Sequence, residues 1–284
     1  MAHRQGEREG KIGMFFGNFF KYQSLGNDFI LFDFYPSVNL KEDKNWNSIA
    51  QKLCNRHFGI GADGVLVLFN NQKLKVPQIL IFNADGSQAE ICLNGLRCVA
   101  HYLYKNHDFP VQFKIEMGGK LIDCQIEESD GENEIVTKIP SPLYLGEKEI
   151  DVNGTKFCGH VVNVGNPHFI ILQETDVNWL KKYGHLIEGH KEFPNKTNVE
   201  FVWQDNKSIF NMLVYERGCA LTLACSSGAT AVIFLLNYLK KVLGEEKVFL
   251  KMPGGRLCCW IEQEQQVVLQ AKADLVFKGA VKLN

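Results

Sequence analysis

An internal repeat limits the fold of this chain more than any other feature of its sequence. Residues 91–106, ICLNGLRCVAHYLYKN, align with residues 224–239, ACSSGATAVIFLLNYL. Both begin Cys-x-x-Gly, pass through small or apolar residues and continue as an aromatic-aliphatic helix. A polar residue at a strand end precedes each cysteine by nine positions, Asn83 before Cys92 and Glu216 before Cys225. Further upstream, LGNDFIL (25–31) echoes VGNPHFII (164–171), each presenting a Gly-Asn turn before an apolar strand. Gly-Asn turns are common on their own, so the inference rests on three echoes in one order. That order implies two homologous halves, each made of strands wrapped about one central helix. If the halves face each other about a pseudo-two-fold axis, both helix N-termini point into one cleft. Cys92 and Cys225 then approach a bound molecule from opposite sides.

The remaining sequence reads as strands and turns. Residues 19–34 hold two strand-like pieces around a tight turn that exposes Asn27. Helical spacing covers 47–57, and VLVLF after the GIGADG turn reads as a short buried strand. Strands are expected over 78–83, 113–117, 121–127 and 135–139, then a linker over 140–148. Residues 157–172 are strand-rich, 178–186 carry a short helix, and a loop over 193–198 leads into a strand over 199–203. A β-meander closes the chain over 248–250, 256–262 and 267–271, turning at Pro253-Gly254-Gly255. Many strands with two apolar helices indicate an α+β fold of two pseudo-symmetric halves, each a β-sheet rolled around a central helix. The expected division is a disordered extension over 1–17, an N-terminal half over 18–135 plus 272–284, and a C-terminal half over 136–271.

With 284 residues, each half can bury a core of ordinary size. A net charge of −1 and the lack of a Lys/Arg block give no sign of a nucleic-acid partner. Nine cysteines, an odd number without regular spacing or any Cys-x-x-Cys pair, fit reduced thiols and a cytoplasmic location rather than a disulfide framework. The histidines do not fall at metal-ligand spacing, so no metal is expected. The N-terminal MAHRQGEREGKIG is polar, and Met14 is a candidate native start. No apolar run is long enough to span a bilayer.

Cys225 sits at the mouth of a helix opened by Ser226, Ser227 and Gly228, where the positive end of the helix dipole favours a thiolate. Taken alone, it reads as a buried inert cysteine, or as a nucleophile for acyl transfer. A symmetric partner changes the chemistry. Inverting a carbon centre by proton transfer needs a base on one face and an acid on the other. A thiol of pKa about 8.5, lowered by a helix terminus, serves as either. The same N–H groups would hold an α-carboxylate and stabilise charge developing at the α-carbon. These demands are those of a racemase or epimerase working without pyridoxal phosphate. Asn27, Asn83, Asn166 and Asn198 lie at turns or strand ends, as turn formers or as ligand contacts. Glu216 and Arg217 read either as a surface ion pair or as a clamp for amino and carboxylate groups. His168 is either a satisfied core histidine or a group that orients or deprotonates a thiol. Cys54, Cys98, Cys124, Cys158, Cys219, Cys258 and Cys259 lack such a setting and read as structural.

The combination of LGNDF, RHFGIGADG, FNADGSQAE-IC-LNG-RC, NVGNPHF, NVEFV, YERG and LACSSGA resembles the diaminopimelate epimerase family, from about Phe19 to the end. The resemblance implies interconversion of LL- and meso-diaminopimelate in lysine and peptidoglycan precursor biosynthesis, with no cofactor. It implies a small-molecule substrate, no membrane or nucleic-acid partner, and room for a homodimer. Carried over by motif, Cys92 and Cys225 match the acid/base thiols, and His168 and Glu216 the groups that assist them. Asn27, Asn83, Asn166, Asn198, Glu216 and Arg217 match positions binding the substrate's polar groups. The backbone at Leu93-Asn94 and Ser226-Ser227 matches the carboxylate cradle. This chain has Cys-Leu-Asn-Gly and Cys-Ser-Ser-Gly where the family usually has Cys-Gly-Asn-Gly and Cys-Gly-Thr-Gly. It has Leu221-Thr222 for Glu-Thr, and Ala271-Lys272 for a late Gly-Pro. Leu93 adds bulk beside the anion site and disfavours positive φ. A racemase for another amino acid, or an inactive binding relative, is the alternative.

Overall fold

A computed structural model describes residues 15–37, 45–89, 91–129, 131–262 and 266–283. Four helices are set among eighteen strands in these residues. The first repeat runs β1 (Phe15–Ser24), β2 (Asn27–Asp33), α1 (Trp46–Cys54), β3 (Gly64–Asn71), β4 (Val76–Asn83) and β5 (Gln88–Ala89). It continues through α2 (Leu93–Asn106), β6 (Gln112–Met117), β7 (Lys120–Ser129) and β8 (Glu132–Ile139). The second repeat begins with β9 (Leu143–Val152), β10 (Thr155–Asn163), β11 (Pro167–Ile171), α3 (Val177–Glu188), β12 (Asn198–Asn206) and β13 (Ile209–Glu216). It ends with β14 (Ala220–Leu221), α4 (Ser226–Tyr238), β15 (Val248–Met252), β16 (Gly255–Ile261) and β17 (Val267–Lys272). A last strand, β18 (Asp274–Leu283), returns to pair with β1.

The two repeats have the same ladder. β2 and β3 are parallel, as are β11 and β12. β4 and β6 are parallel across α2, as β13 and β15 are across α4. The match extends to register: Phe29 faces Gly64 as His168 faces Asn198, and Val65 faces Phe82 as Val199 faces Tyr215. β18 stands beside β1 where β9 stands beside β10. β8 and β17 pair with each other and join the two sheets. The expected boundary at 135/136 falls inside β8.

Each half rolls its strands about one helix because that helix is buried along most of its length. In α2, Leu96, Val99, Ala100 and Leu103 are wholly buried; in α4 every residue from Gly228 to Leu236 is buried. A fully buried Leu or Val contributes on the order of 1.5–3 kcal/mol, so neither helix can lie on a surface. The amphipathic α1 and α3 cover the outside instead, α1 burying Trp46, Ile49 and Leu53 and α3 burying Leu180 and Ile187. Strands sandwiched between a central and an outer helix are buried on both faces. The run VLVLF of β3 is therefore continuously apolar.

Two expectations are corrected. The linker expected over 140–148 is largely β9, an edge strand whose residues alternate between half-buried and exposed, which leaves it polar enough to read as a loop. Of the disordered extension expected over 1–17, residues 15–17 pair with β18; residues 1–14 lie outside the described residues. No helix among the described residues is long and apolar enough to cross a membrane.

Candidate active site

The cysteine at each helix mouth takes extended backbone geometry as N-cap, Cys92 at φ −144° and Cys225 at φ −122°. The first N–H groups of both helices therefore have no intrahelical carbonyl to bond. At α4 the Gly228 N–H donates to Cys225 Sγ at 3.4 Å, and the Ser227 hydroxyl lies 3.3 Å from the same sulfur. At α2 the Cys92 side chain makes no comparable cap hydrogen bond, and Cys92 Sγ lies 3.8 Å from Asn27 Oδ1. Leu93 and Ser226 occupy the first helical positions, with φ negative. A side chain there is conformationally ordinary, so Leu93 changes bulk and not backbone freedom.

One cleft of about 1340 Å³ runs between the two mouths. Of the residues singled out in the sequence, Asn27, Asn83, Cys92, Leu93, Asn166, Asn198, Glu216, Arg217 and Ser227 line it. Cys225, Ser226, Asn94 and His168 do not line it; they are buried directly behind. The asparagines are held by short bonds. Asn27 donates to Asp63 Oδ2 at 2.8 Å and accepts from Asn94 Nδ2 at 3.1 Å. Asn83 donates to Ser87 Oγ at 2.9 Å. Asn198 donates to the Pro167 carbonyl at 2.9 Å, and its Oδ1 accepts from the Arg217 N–H at 2.9 Å. Asn166 Oδ1 lies 3.0 Å from His168 Nε2. The guanidinium of Arg217 makes no side-chain hydrogen bond or ion pair among the described residues, and stays available in the cleft.

Glu216, at the end of β13, carries a carboxyl that burial raises, against hydrogen bonds from Thr222 and Cys225 that lower it. The Thr222 hydroxyl donates to Glu216 Oε1 at 2.5 Å. His168 has both ring nitrogens occupied, Nδ1 by Glu200 Oε1 at 2.6 Å and Nε2 by Asn166, so neither nitrogen is directed at a sulfur. The thiols differ from the simple dipole expectation. Burial, the largest cause, pushes Cys92 up to about 11; the Gly95 N–H lowers it and the charge of Glu216 raises it. Burial likewise pushes Cys225 well above its ordinary value, reinforced by Glu216 and Glu200. The helix termini act in the expected direction, but desolvation outweighs them. Glu216 acts on both sulfurs, which places it between them electrostatically.

Several contributors were not singled out from sequence. Glu200 is fully buried beside His168, and a charge inside the apolar run VEFVW was the available signal. Asp28, Arg56 and Asp63 form a salt-bridged cluster that orients Asn27. Burial would raise Asp28, but hydrogen bonds from Arg56 and Lys21 hold it at about 2. The LGNDF and RHFGIGADG motifs carried these residues without revealing their roles. Among the described residues, no group of three or more His, Cys, Asp or Glu gathers to hold a metal.

Solved structures share this architecture at low sequence identity. A hydroxyproline epimerase from Agrobacterium vitis, with bound trans-4-hydroxy-L-proline, superposes at TM-score 0.74 and 11% identity, covering 94% of this chain and 93% of that one. A PhzF-family phenazine biosynthesis protein from Bacillus anthracis does so at 0.74 and 14%, covering 94% and 99%. These define the class of fold: paired sheets, each rolled around a helix, with a cleft between the helix mouths. The family model for diaminopimelate epimerase matches residues 19–140 and 160–276. A diaminopimelate epimerase of Carboxydothermus hydrogenoformans is 38% identical, covering 92% of this chain and 98% of the relative. One of Prochlorococcus marinus is 36% identical over 94% and 99%, and a chloroplastic one of Oryza sativa subsp. japonica is 34% identical over 93% and 79%. This chain belongs to the diaminopimelate epimerase family of isomerases.

Proposed function

We propose that this protein interconverts LL- and meso-diaminopimelate by passing an α-proton between Cys92 and Cys225. The observation that carries the reading is that both cysteines are N-caps of repeat-related helices whose mouths meet at one cleft. One thiolate takes the α-proton from one face of the carbon, and the C–H electron pair stays on the substrate. The opposing thiol then donates its proton to the other face, leaving itself as the thiolate. Each turnover ends with the two sulfurs exchanged in protonation, and the reverse reaction resets them.

The unpartnered N–H groups at Leu93-Asn94 and Ser226-Ser227 hold the α-carboxylate and lower the energy of the developing carbanion. Glu216, raised by burial and hydrogen-bonded to Cys225, takes up and returns that thiol's proton in the resting enzyme. His168 acts one step removed, fixing Asn166 and compensating Glu200. Arg217 with Asn83, Asn166 and Asn198 gives the distal amino-acid centre a cation and amide groups, which a simple aliphatic amino acid would leave unmatched.

The direct test is incubation of LL-diaminopimelate with the enzyme in heavy water, without added cofactor. The meso product should carry deuterium at the inverted α-carbon. No α-exchange from either stereoisomer would sink the proposal.

A further inference from the structure

The repeat supplies two matching hairpins, and they meet the opposite half in different ways. Gln78 pairs with Glu116 as Asn211 pairs with Lys251. The two-residue turn Gly118-Gly119 between β6 and β7 therefore matches Pro253-Gly254 between β15 and β16, and Lys120 matches Gly255. The second half's hairpin is packed, backbone against backbone, on the Gly-Asn turn of the first half. Its Gly254 N–H donates to the Leu223 carbonyl at 2.8 Å, a Cβ on Gly254 would overlap the Leu25 carbonyl, and one on Gly26 would meet Gly254 Cα at 3.6 Å. The first half's hairpin is looser. A Cβ on Gly119 would meet nothing within 4 Å. Beside Gly165, which matches Gly26, the one atom within 4 Å of a Cβ among the described residues, its chain neighbours aside, is Lys120 Nζ at 3.7 Å. On this side a lysine side chain, not packed backbone, bridges the halves.

Lys120 is exposed and lines the cleft. Like the guanidinium of Arg217, its ammonium makes no hydrogen bond or ion pair among the described residues. The third cation of the lining, Arg56, is taken by Asp28 and Asp63. Of the acids there, Asp63 belongs to that cluster, Asp85 accepts from the Ser87 hydroxyl and Glu216 from the Thr222 hydroxyl. Two uncommitted cations, one from each half, thus face one space, and their common complement is a carboxylate. Position decides which carboxylate. The helix mouths take the one at the reacting carbon, whereas Lys120 Nζ lies beside Gly165, next to Asn166. In that same turn the Pro167 carbonyl accepts from Asn198, which accepts in turn from the Arg217 N–H. The Lys120 ammonium therefore stands on the Arg217 side of the cleft, at the distal end of the substrate.

We propose that Lys120 is a specificity-determining residue whose ammonium, opposite Arg217, pairs with the distal carboxylate of the substrate. The proposal rests on the epimerase reading above, so its test includes a binding readout that needs no turnover. Exchange in heavy water gives kcat and KM for LL-diaminopimelate. Protection of Cys92 from iodoacetamide, followed by peptide mass spectrometry on the full-length protein, gives an occupancy constant. Lys120→Met should raise both KM and that constant about three- to tenfold with kcat within about twofold, the pattern of lost uniform binding. Lys120→Arg keeps a cation and should restore both to within about twofold of wild type. L-Lysine is the same molecule without the distal carboxylate, and should protect wild type and Lys120→Met alike. An unmoved KM and occupancy constant in Lys120→Met overturn the proposal. So does a Lys120→Arg variant as impaired as Lys120→Met, or a loss of L-lysine protection as large as that of diaminopimelate, since either shows a packing effect. Wild type that binds diaminopimelate through Lys120 but exchanges no α-deuterium would reject epimerisation and leave this assignment standing. Normal exchange with Lys120→Met unimpaired would do the reverse, and neither exchange nor protection in the wild type would overturn both.

Discussion

The floors beneath the two helix mouths occupy matching places in the repeat and are built from opposite materials. Under α2, a Cβ on Gly95 would meet Leu66 at 2.9 Å and Phe29 at 3.6 Å, two buried apolar side chains. Under α4, a Cβ on Gly228 would meet Glu200 Oε1 at 2.7 Å, and Glu200 is paired with His168. The ladders place Phe29 where the second half has His168, and by the same register Leu66 where it has Glu200. One framework thus carries a dry floor under one thiol and a hydrogen-bonded His168–Glu200 pair under the other. The repeat supplies the opposed geometry. The substitutions within it give two chemically identical side chains different surroundings, which the proposed two-thiol reaction would use.

The strongest way to break this comparison is to remove either thiol. Cys92→Ala and Cys225→Ala should each lower turnover by about 10³–10⁴-fold or more, as expected for loss of an acid or a base. Substrate depletion assays in both directions measure it. Near-wild-type turnover in either variant would show that the halves are not used as a pair.

Next in size is the floor itself. Glu200→Leu alone strips His168 of its buried partner and should destabilise the fold by about 3–5 kcal/mol. Joining it to His168→Phe copies the first half's floor into the second and should recover most of that stability, since apolar replacement of a buried pair is often near neutral. Urea unfolding of the two variants tests this; a double variant no more stable than the single one would show that the second half cannot accept a dry floor. Turnover in the double variant should stay depressed by about 10²-fold, because Glu216 and Cys225 lose charges that act on them.

The thiols make a smaller, pH-dependent contribution. Burial raises Cys54 to about 12 and Cys92 to about 11, and raises Cys225 well above its ordinary value. A group whose folded pKa lies above its unfolded value, here about 8.5–9, adds stability that is fully present below the unfolded pKa. That stability is lost as pH rises through the folded value. Stability should therefore hold to about pH 9 and fall between pH 9 and 12, while kcat/KM rises over the start of that range as a thiolate forms. Parallel denaturation and rate profiles read both. An enzyme whose activity declines from pH 7 to 9 would contradict thiols raised by burial.

What the sequence made legible was whatever the repeat enforces locally. Cys-x-x-Gly before an apolar helix, a polar residue nine positions earlier and a Gly-Asn turn upstream are short-range patterns, and they located both helix mouths and several of the polar residues that line the cleft. The pairing of His168 with Glu200 spans thirty-two positions and depends on the parallel β11–β12 register, which no local periodicity records. Arg97, wholly buried and bonded to Ser24, Asn94 and Ser226, is hidden because its neighbours in sequence are core residues of α2, so a single cation looks like one polar position on the helix. The edge strand β9 and the returning strand β18 escaped for the opposite reason, having one face in solvent. The direction of the thiol shifts escaped because a helix terminus can be seen in sequence and depth of burial cannot.

The glycines at the two mouths give the finest discrimination between the floors. Gly95→Ala pushes against the end of the Leu66 side chain, which can rotate away within the core. Gly228→Ala pushes against Glu200 Oε1 and the Met212 methyl at 2.9 Å, and Glu200 can yield only by weakening its bond to His168. Both substitutions sit inside helices, where Ala is otherwise favoured over Gly by up to about 1 kcal/mol, so overpacking of about 1–3 kcal/mol is partly offset. Gly95→Ala should come out near neutral and Gly228→Ala destabilising by about 1–2 kcal/mol, with the larger loss of turnover in the second. Thermal unfolding of the two variants measures the difference. Equal losses would mean that the His168–Glu200 pair is as pliable as the apolar floor it replaces, and the contrast between the halves would then reside in polarity alone.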